Sequence, residues 1–316
     1  VALKTEAVGL AVMAELPVVI VNVQRGGPST GLPTKTEQSD LLQAIHGRNG
    51  ECPVAVLAAH SPAHCFEMAI EAFRIAIRYM TPVFLLSDGS IANGTEPWRT
   101  PEQSELPAID LPQAVPAGDY QVYARDPATL ARQWVAPGTP GLEHCLGGLE
   151  KQDISGKVSH DSANHQRMVQ LRMEKIRGIA KDIPELTVFG PAQGDLLVLG
   201  WGGTFGAIHH AVERAQRRGL SVAASQLDYL NPFPANLGRV LRSYRQVLIP
   251  ELNAGQLRML IRAQFLIDAT GLNKITGQPF RTSEIEQEIL RLLGVQDGNR
   301  ADPLSSNEAV HGTVGA

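Results

Sequence analysis

The densest chemistry in the chain lies in the run Gln24-Arg25-Gly26-Gly27-Pro28-Ser29-Thr30-Gly31-Leu32-Pro33-Thr34-Lys35. Arg25 and Lys35 bring positive charge, Ser29, Thr30 and Thr34 bring hydroxyls, and Gly26, Gly27 and Gly31 permit close backbone approach and positive φ. A guanidinium can hold a carboxylate or phosphate by two parallel hydrogen bonds. The segment follows an apolar run, Pro17 to Val23, and open α/β sheets bind ligands beyond the carboxyl ends of their strands. An anion site is the reading these residues favour; a solvated polar turn is the plain alternative.

A second glycine-rich run, Gly200-Trp201-Gly202-Gly203-Thr204-Phe205-Gly206, follows the apolar run Leu196 to Gly200, and Asp228 ends the next one. The order resembles a dinucleotide fingerprint. The spacing carries one extra residue, and Trp201 would set a large ring where a pyrophosphate must approach. A tight strand-to-helix turn is the competing and simpler reading. His209 and His210 are neighbours on a helical pattern and point in different directions, so they do not chelate as an i, i+4 pair would. His60 and His64 are four apart, but a turn and a helix start are expected between them, and no metal site is expected in this chain. Asp88, at the end of a strand run, is expected to cap the next turn. Cys52, Cys65 and Cys145 are too few and too scattered for a disulfide framework or a four-cysteine cluster.

Strand and helix patterns alternate around these residues. Pro17 to Val23 reads as a buried strand, Gln24 to Lys35 as a loop, and Pro53 to Ala59 as a second strand. Ser61-Pro62 then opens a helix to Tyr79, with Phe66, Ala69, Ile70, Phe73 and Ile77 at helical spacing. Pro82 to Leu86 forms a third strand, which argues for a mostly parallel sheet covered on both faces. From Trp98 to Thr187 only Asn164 to Lys181 looks helical, and the remainder is read as a functional stretch or a wrap across a neighbour. Leu196 to Gly200, Phe205 to Arg218, Val222 to Leu227, Val247 to Pro250 and Gln256 to Phe265 then form a second α/β block.

The net charge of −4, without a basic stripe, excludes a nucleic-acid surface as the leading reading, and no run of about 18 apolar residues exists to span a membrane. Val1 to Glu15 reads as a helix already under way, with Ala7, Leu10, Ala11 and Ala14 on one side, and the first domain is expected to begin upstream of Val1.

At Arg25 a resemblance enters. The run Val21-Asn22-Val23-Gln24-Arg25-Gly26-Gly27-Pro28-Ser29-Thr30-Gly31-Leu32-Pro33-Thr34-Lys35-Thr36-Glu37-Gln38-Ser39-Asp40-Leu41 resembles the signature of the 2-oxoacid:ferredoxin oxidoreductase α subunit. Collinear matches follow at Ser87-Asp88-Gly89 with Asn93-Gly94, Thr139 to His144, Asn164 to Val169, Asn231 to Pro234 and Gly271 to Lys274. The overall likeness is strongest to the subunits that use 2-oxoglutarate.

The resemblance implies an α/β fold: a truncated thiamine-pyrimidine-binding domain over 1–110, an irregular connection with one helix over 111–190, a transketolase C-terminal-like domain over 191–295, and a disordered tail over 296–316. It implies that Arg25 grips the substrate carboxylate, with Gly26, Gly27, Ser29 and Thr30 lining the loop, and Lys35 is a candidate cation for a distal carboxylate. Thiamine diphosphate would be shared with a β subunit that also carries Mg²⁺ and a [4Fe–4S] cluster, coenzyme A would be co-substrate and ferredoxin the electron partner. The expected assembly is a cytoplasmic heterodimer or dimer of heterodimers. No catalytic residue is assigned in this chain: the glutamate that activates thiamine belongs upstream, and Glu6 and Glu15 are not substitutes. Pyruvate or another 2-oxoacid as substrate, a nicotinamide-dependent dehydrogenase and a non-catalytic assembly subunit are the alternatives.

Overall fold

The computed structural model describes residues 2–111 and 120–295; the tail expected over 296–316 lies outside the described residues. Two sheets carry the fold. The first has β1 (Val18–Gly26), β2 (Leu32–Thr36), β3 (Ala55–Ala58), β4 (Pro82–Asp88) and β7 (Tyr229–Asn231) in the order β2-β1-β4-β3-β7. Its three inner strands are parallel, and β2 and β7 run antiparallel at the edges. The second is fully parallel, with β5 (Gly194–Trp201), β6 (Val222–Leu227), β8 (Tyr244–Glu251) and β9 (Thr270–Asn273) in the order β6-β5-β8-β9. Helices α1 (Thr5–Met13), α2 (Leu41–His46), α3 (His64–Tyr79), α4 (Gly89–Ala92), α5 (Ser162–Gly178), α6 (Phe205–Arg217), α7 (Leu237–Arg242), α8 (Gln256–Phe265) and α9 (Thr282–Leu292) pack around them.

One hydrophobic core is common to both sheets. Val56, Phe84 and Leu86 from the first meet Leu197, Leu199 and the fully buried Trp201 from the second, with Leu41, Leu237 and Leu257 between them. The far side of the first sheet packs on α3 through Leu57, Leu85, Met68, Ala72 and Ile75, and the far side of the second packs on α6 and α9. Strand β4 is buried along its whole length, which suits its unbroken apolar run.

The buried faces follow the sequence patterns only in part. Strand β1 is not a buried strand: Val21 and Val23 are 59% and 50% exposed, because no described helix covers that part of its outer face. On α3 the core face is Met68, Ala72, Ile75, Ala76 and Tyr79, while Phe66 and Phe73 are exposed; the helix carries two apolar stripes, and the expected one is the outer. Helix α1 buries Val8, Ala11 and Val12, Ala14 is buried just past its end, and Leu10 is exposed.

Just past α1, Glu15, 1% exposed, enters an ion cluster built by the irregular connection. Arg125 donates to both Glu15 oxygens at 2.5 and 2.6 Å, Lys175 from α5 donates to Oε2, and Arg132 donates to the Ala14 and Glu15 carbonyls at 3.2 Å. Within the described residues, then, the connection expected to wrap a neighbour folds in part on its own chain. Burial alone would raise the Glu15 carboxyl, but the cations Lys175 and Arg125 outweigh it and hold Glu15 below its ordinary range.

A second buried polar array joins the sheets. Gln38, fully buried, donates through Nε2 to the Trp201 carbonyl at 2.6 Å and accepts from the Leu252 amide at 3.0 Å, while its backbone pairs with Leu252 and Asn253. Gln256 adds a bond to the Ser39 carbonyl at 2.7 Å and accepts from the Leu42 amide at 3.0 Å.

Two outcomes follow for stability. Gln38→Ala leaves the buried Leu252 amide without its side-chain partner, costing about 1–3 kcal/mol in denaturant unfolding, while the Trp201 carbonyl keeps the Thr204 hydroxyl at 2.8 Å. Because the folded-state pKa of Glu15 is depressed, its stabilisation is present above the ordinary carboxylate pKa and is lost as pH falls through the depressed value. Glu15→Gln therefore flattens that acid limb and costs about 3–5 kcal/mol at neutral pH, as expected when one member of a buried ion cluster is removed; acid titrations of both proteins followed by circular dichroism test this.

Candidate functional site

The segment read as a loop is a β-hairpin. β1 continues through Gln24, Arg25 and Gly26, and β2 returns with Arg25 opposite Thr36 and Gly26 opposite Leu32. The tip, Gly27 to Gly31, contains a cis Gly27–Pro28 bond and positive φ at Ser29 and Gly31. Gly31 is required here, since a Cβ would fall 2.1 Å from the Gly26 carbonyl oxygen; Gly26 and Gly27 do not adopt positive φ, contrary to expectation. The base is clamped by Asn22 donating to Asp40 at 3.0 Å and by the Asp40 amide donating to Gln24 at 2.9 Å.

Arg25 projects from the same strand face as Val21 and Val23 by the two-residue alternation, and all three are exposed. Its Nη1 donates to the Thr30 carbonyl, which draws the guanidinium over Ser29 and Thr30 at the tip. Among the described residues Arg25 has no carboxylate partner, so the rest of its donor fork is available to an external anion. Lys35 is also exposed, and its stem runs beside Gly277, where a Cβ would lie 2.8 Å from Lys35 Cβ. Arg25, Ser29 and Thr30 are thus together at the tip, while Lys35 stands on the return strand.

Asp88 ends β4 as expected of a cap, and it does more. Oδ1 accepts from the amides of Ser90 and Ile91 at 3.0 and 3.2 Å, from the Ser90 hydroxyl at 2.5 Å and from Thr36 Oγ1 at 3.0 Å. Oδ2 accepts from the Gly203 amide at 2.7 Å. A carboxylate of the first sheet therefore fills the turn between β5 and α6, where a dinucleotide pyrophosphate would sit. Trp201 turns into the core, its Nε1 3.4 Å from Glu251, instead of facing that turn. The fingerprint-like glycines serve close packing: a Cβ on Gly203 would be 2.4 Å from Asp88 Oδ2.

His60 and His64 are not separated by the turn between them. His60 follows β3, His64 opens α3, and their rings stack at 3.7 Å. Asp228 joins them from the far end of β6, its Oδ1 3.0 Å from His60 Nδ1. Burial lowers the pKa of His64 below its ordinary value; His60 adds to that, and Asp228, Glu67 and Glu96 oppose it. The sequence signal for this grouping was only that His60 and Asp228 each end a strand.

Comparison with known proteins extends the geometry. The family described as pyruvate flavodoxin/ferredoxin oxidoreductase, thiamine diP-bdg, matches residues 1–162. The 2-oxoglutarate oxidoreductase subunit KorA of Mycobacterium tuberculosis is 57% identical over 294 residues, covering 93% of this chain and 45% of the relative. The 2-oxoglutarate synthase subunit KorA of Methanothermobacter marburgensis is 28% identical, covering 91% of this chain and 77% of the relative. Among solved structures, the 2-oxoglutarate:ferredoxin oxidoreductase from Magnetococcus marinus, with 2-oxoglutarate, coenzyme A and succinyl-CoA bound, superposes with a TM-score of 0.88 at 34% identity, covering 92% of this chain and 51% of that one. The chain spans about half the length of the first of these relatives and of that solved chain. A family match over more than half the chain, on a fold shared with that oxidoreductase, places this chain in the pyruvate flavodoxin/ferredoxin oxidoreductase thiamine-diphosphate-binding family.

Proposed function

We propose that this chain contributes the substrate-carboxylate grip of the α subunit of a 2-oxoglutarate:ferredoxin oxidoreductase. The reaction is the coenzyme A-dependent oxidative decarboxylation of 2-oxoglutarate to succinyl-CoA and carbon dioxide, with the electron pair passed to ferredoxin, or the reverse carboxylation. The observation that carries the reading is Arg25: an exposed guanidinium at the carboxyl end of a parallel strand, with no carboxylate partner among the described residues. The high identity to a 2-oxoglutarate oxidoreductase subunit and the 2-oxoglutarate bound in the similar Magnetococcus structure support the choice of substrate class.

The described residues do not fit the role of holding a diphosphate and its Mg²⁺. Asp88, the carboxylate best placed at the sheet edge, has both oxygens committed to protein donors, and Glu15 is locked in its ion cluster. Thiamine diphosphate, Mg²⁺ and a [4Fe–4S] cluster accordingly fall to a β subunit in this proposal, within a cytoplasmic heterodimer or dimer of heterodimers. The segments 1–110, 111–190 and 191–295 serve in it as a thiamine-pyrimidine-type unit, a connection and a transketolase C-terminal-type unit.

What this chain's own residues do is hold and orient. Arg25 takes the 1-carboxylate of the 2-oxoacid through two parallel N–H bonds, and the Ser29 and Thr30 hydroxyls border it, so the 2-oxo carbon is fixed for attack. The exposed apolar pair Val21 and Val23 beside Arg25 suits a surface closed by another part of the assembly, which would exclude the water that weakens the ion pair. Lys35 supplies charge for the distal carboxylate that separates 2-oxoglutarate from pyruvate. A dinucleotide-dependent dehydrogenase is disfavoured by the Asp88 carboxylate in the glycine-rich turn.

In coenzyme A-dependent viologen reduction by the full-length subunit with its β partner, Arg25→Ala lowers kcat/KM by an amount equivalent to about 2–5 kcal/mol. Arg25→Lys recovers only part, because an ammonium cannot make the paired bonds. The melting temperature is unchanged, since among the described residues Arg25 bonds only to the neighbouring Thr30 carbonyl; unaltered turnover would favour a non-catalytic assembly subunit. Lys35→Gln raises KM for 2-oxoglutarate and leaves pyruvate turnover unaffected, and equal loss with both substrates removes Lys35 from the specificity role.

A further inference from the structure

Three metal-ligating side chains outside the substrate grip converge at the junction of the two sheets. His60 comes from the turn after β3, His64 from the first residue of α3, and Asp228 from the link between β6 and β7. Their side chains are 21%, 13% and 28% exposed, so the group is sheltered but reachable. Asp228 Oδ1 is 3.0 Å from His60 Nδ1 and 4.0 Å from His64 Nδ1, and ligand atoms of all three lie within 4.8 Å of one another. With metal–ligand bonds of about 2.0–2.1 Å, the edge of a coordination tetrahedron is about 3.3–3.4 Å, and the two observed separations bracket that value.

The surroundings favour a cation. The His60 backbone amide points at His64 Nδ1 from 3.3 Å, so that nitrogen presents a lone pair and not a proton toward the group, through a long bond that an ion can displace. The stacked imidazoles are backed by the Phe205 ring at 4.5 Å, which limits their rotation. A cavity of about 370 Å³ opens from His64 and Asp228; it is also lined by Glu67 and Glu71 and by no lysine or arginine. It has room for a solvent ligand, and Glu67 and Asp228 give it negative charge, while Glu71 is paired with Arg74.

We propose that His60, His64 and Asp228 form a binding site for a divalent transition-metal ion of the zinc class, with a solvent molecule from the cavity as fourth ligand. Two imidazoles and one carboxylate suit Zn²⁺ or Co²⁺, whereas Mg²⁺ and Ca²⁺ favour all-oxygen shells. His60 and His64 belong to the first sheet and its helix, and Asp228 continues from the second. The ion therefore ties the carboxyl edges of the two sheets and stabilises the folded chain by mass action.

The test uses the full-length protein, stripped by chelator and titrated with Zn²⁺ against a chromophoric chelator, with Co²⁺ as spectroscopic probe. One Zn²⁺ per chain is expected at this site, with a tetrahedral Co²⁺ absorption band and a melting temperature raised by Zn²⁺ but not by Mg²⁺. Asp228→Asn and His64→Gln each weaken binding by more than about tenfold, at least the effect of losing a supporting contact, and abolish the thermal shift. His210→Gln, in an exposed pair elsewhere, changes nothing. Should Asp228→Asn fail to fold by circular dichroism, His64→Gln decides alone. Absence of Zn²⁺ binding, or binding that His64→Gln leaves intact, overturns the proposal.

Discussion

The buried side chain of Gln38 links two sheets that share one core. Its amide donates to the Trp201 carbonyl and accepts from the Leu252 amide, so two backbone groups near the carboxyl ends of β5 and β8 are satisfied by the first sheet. The Leu252 amide would be costly to leave unpaired in an apolar interior, while the Trp201 carbonyl is shared with the Thr204 hydroxyl. Gln38 also sits two residues after β2. Fixing it fixes the return strand of the hairpin, and with it the frame on which Arg25 is displayed.

Three buried carboxylates, Asp88, Glu15 and Glu251, are each held by several donors. Asp88 accepts from both sheets' loops, Glu15 from Arg125 and Lys175, and Glu251 from the Leu257 and Arg258 amides, Asn253 and Trp201. Burial raises the Glu251 carboxyl, with those four donors opposing it. Negative charge in the interior is thus consumed by architecture. Arg25 is the contrast, its only bond among the described residues running to a neighbouring carbonyl. A structural arginine would be expected inside such a network, and that difference separates ligand grip from scaffold here.

How much of this could be read beforehand depends on the kind of interaction. The strands at Val18, Ala55, Pro82, Gly194 and Val222 announce themselves as apolar runs, and the Arg25 segment by composition and family likeness. Faces were harder. Helix α3 has two apolar stripes, and periodicity alone cannot rank Phe66 and Phe73 below Met68 and Ile75. Glu15, just past helix α1, is buried against partners that lie over a hundred residues away in the chain. Gln38, and the meeting of His60 with Asp228, are products of sheet-on-sheet packing and leave no local pattern to find.

The strand β7 bears on how such a protein can be divided or rearranged. Tyr229–Asn231 arises within the second block of sequence yet is hydrogen-bonded to β3 of the first sheet, with Asn231 also donating to the Val54 carbonyl at 2.7 Å. A cut through the linker between the blocks would therefore not yield two self-sufficient modules: the first would be left with an unpaired, wholly apolar β3 edge, the kind of surface that recruits foreign strands. The two blocks of sequence therefore share one sheet and fold as one unit.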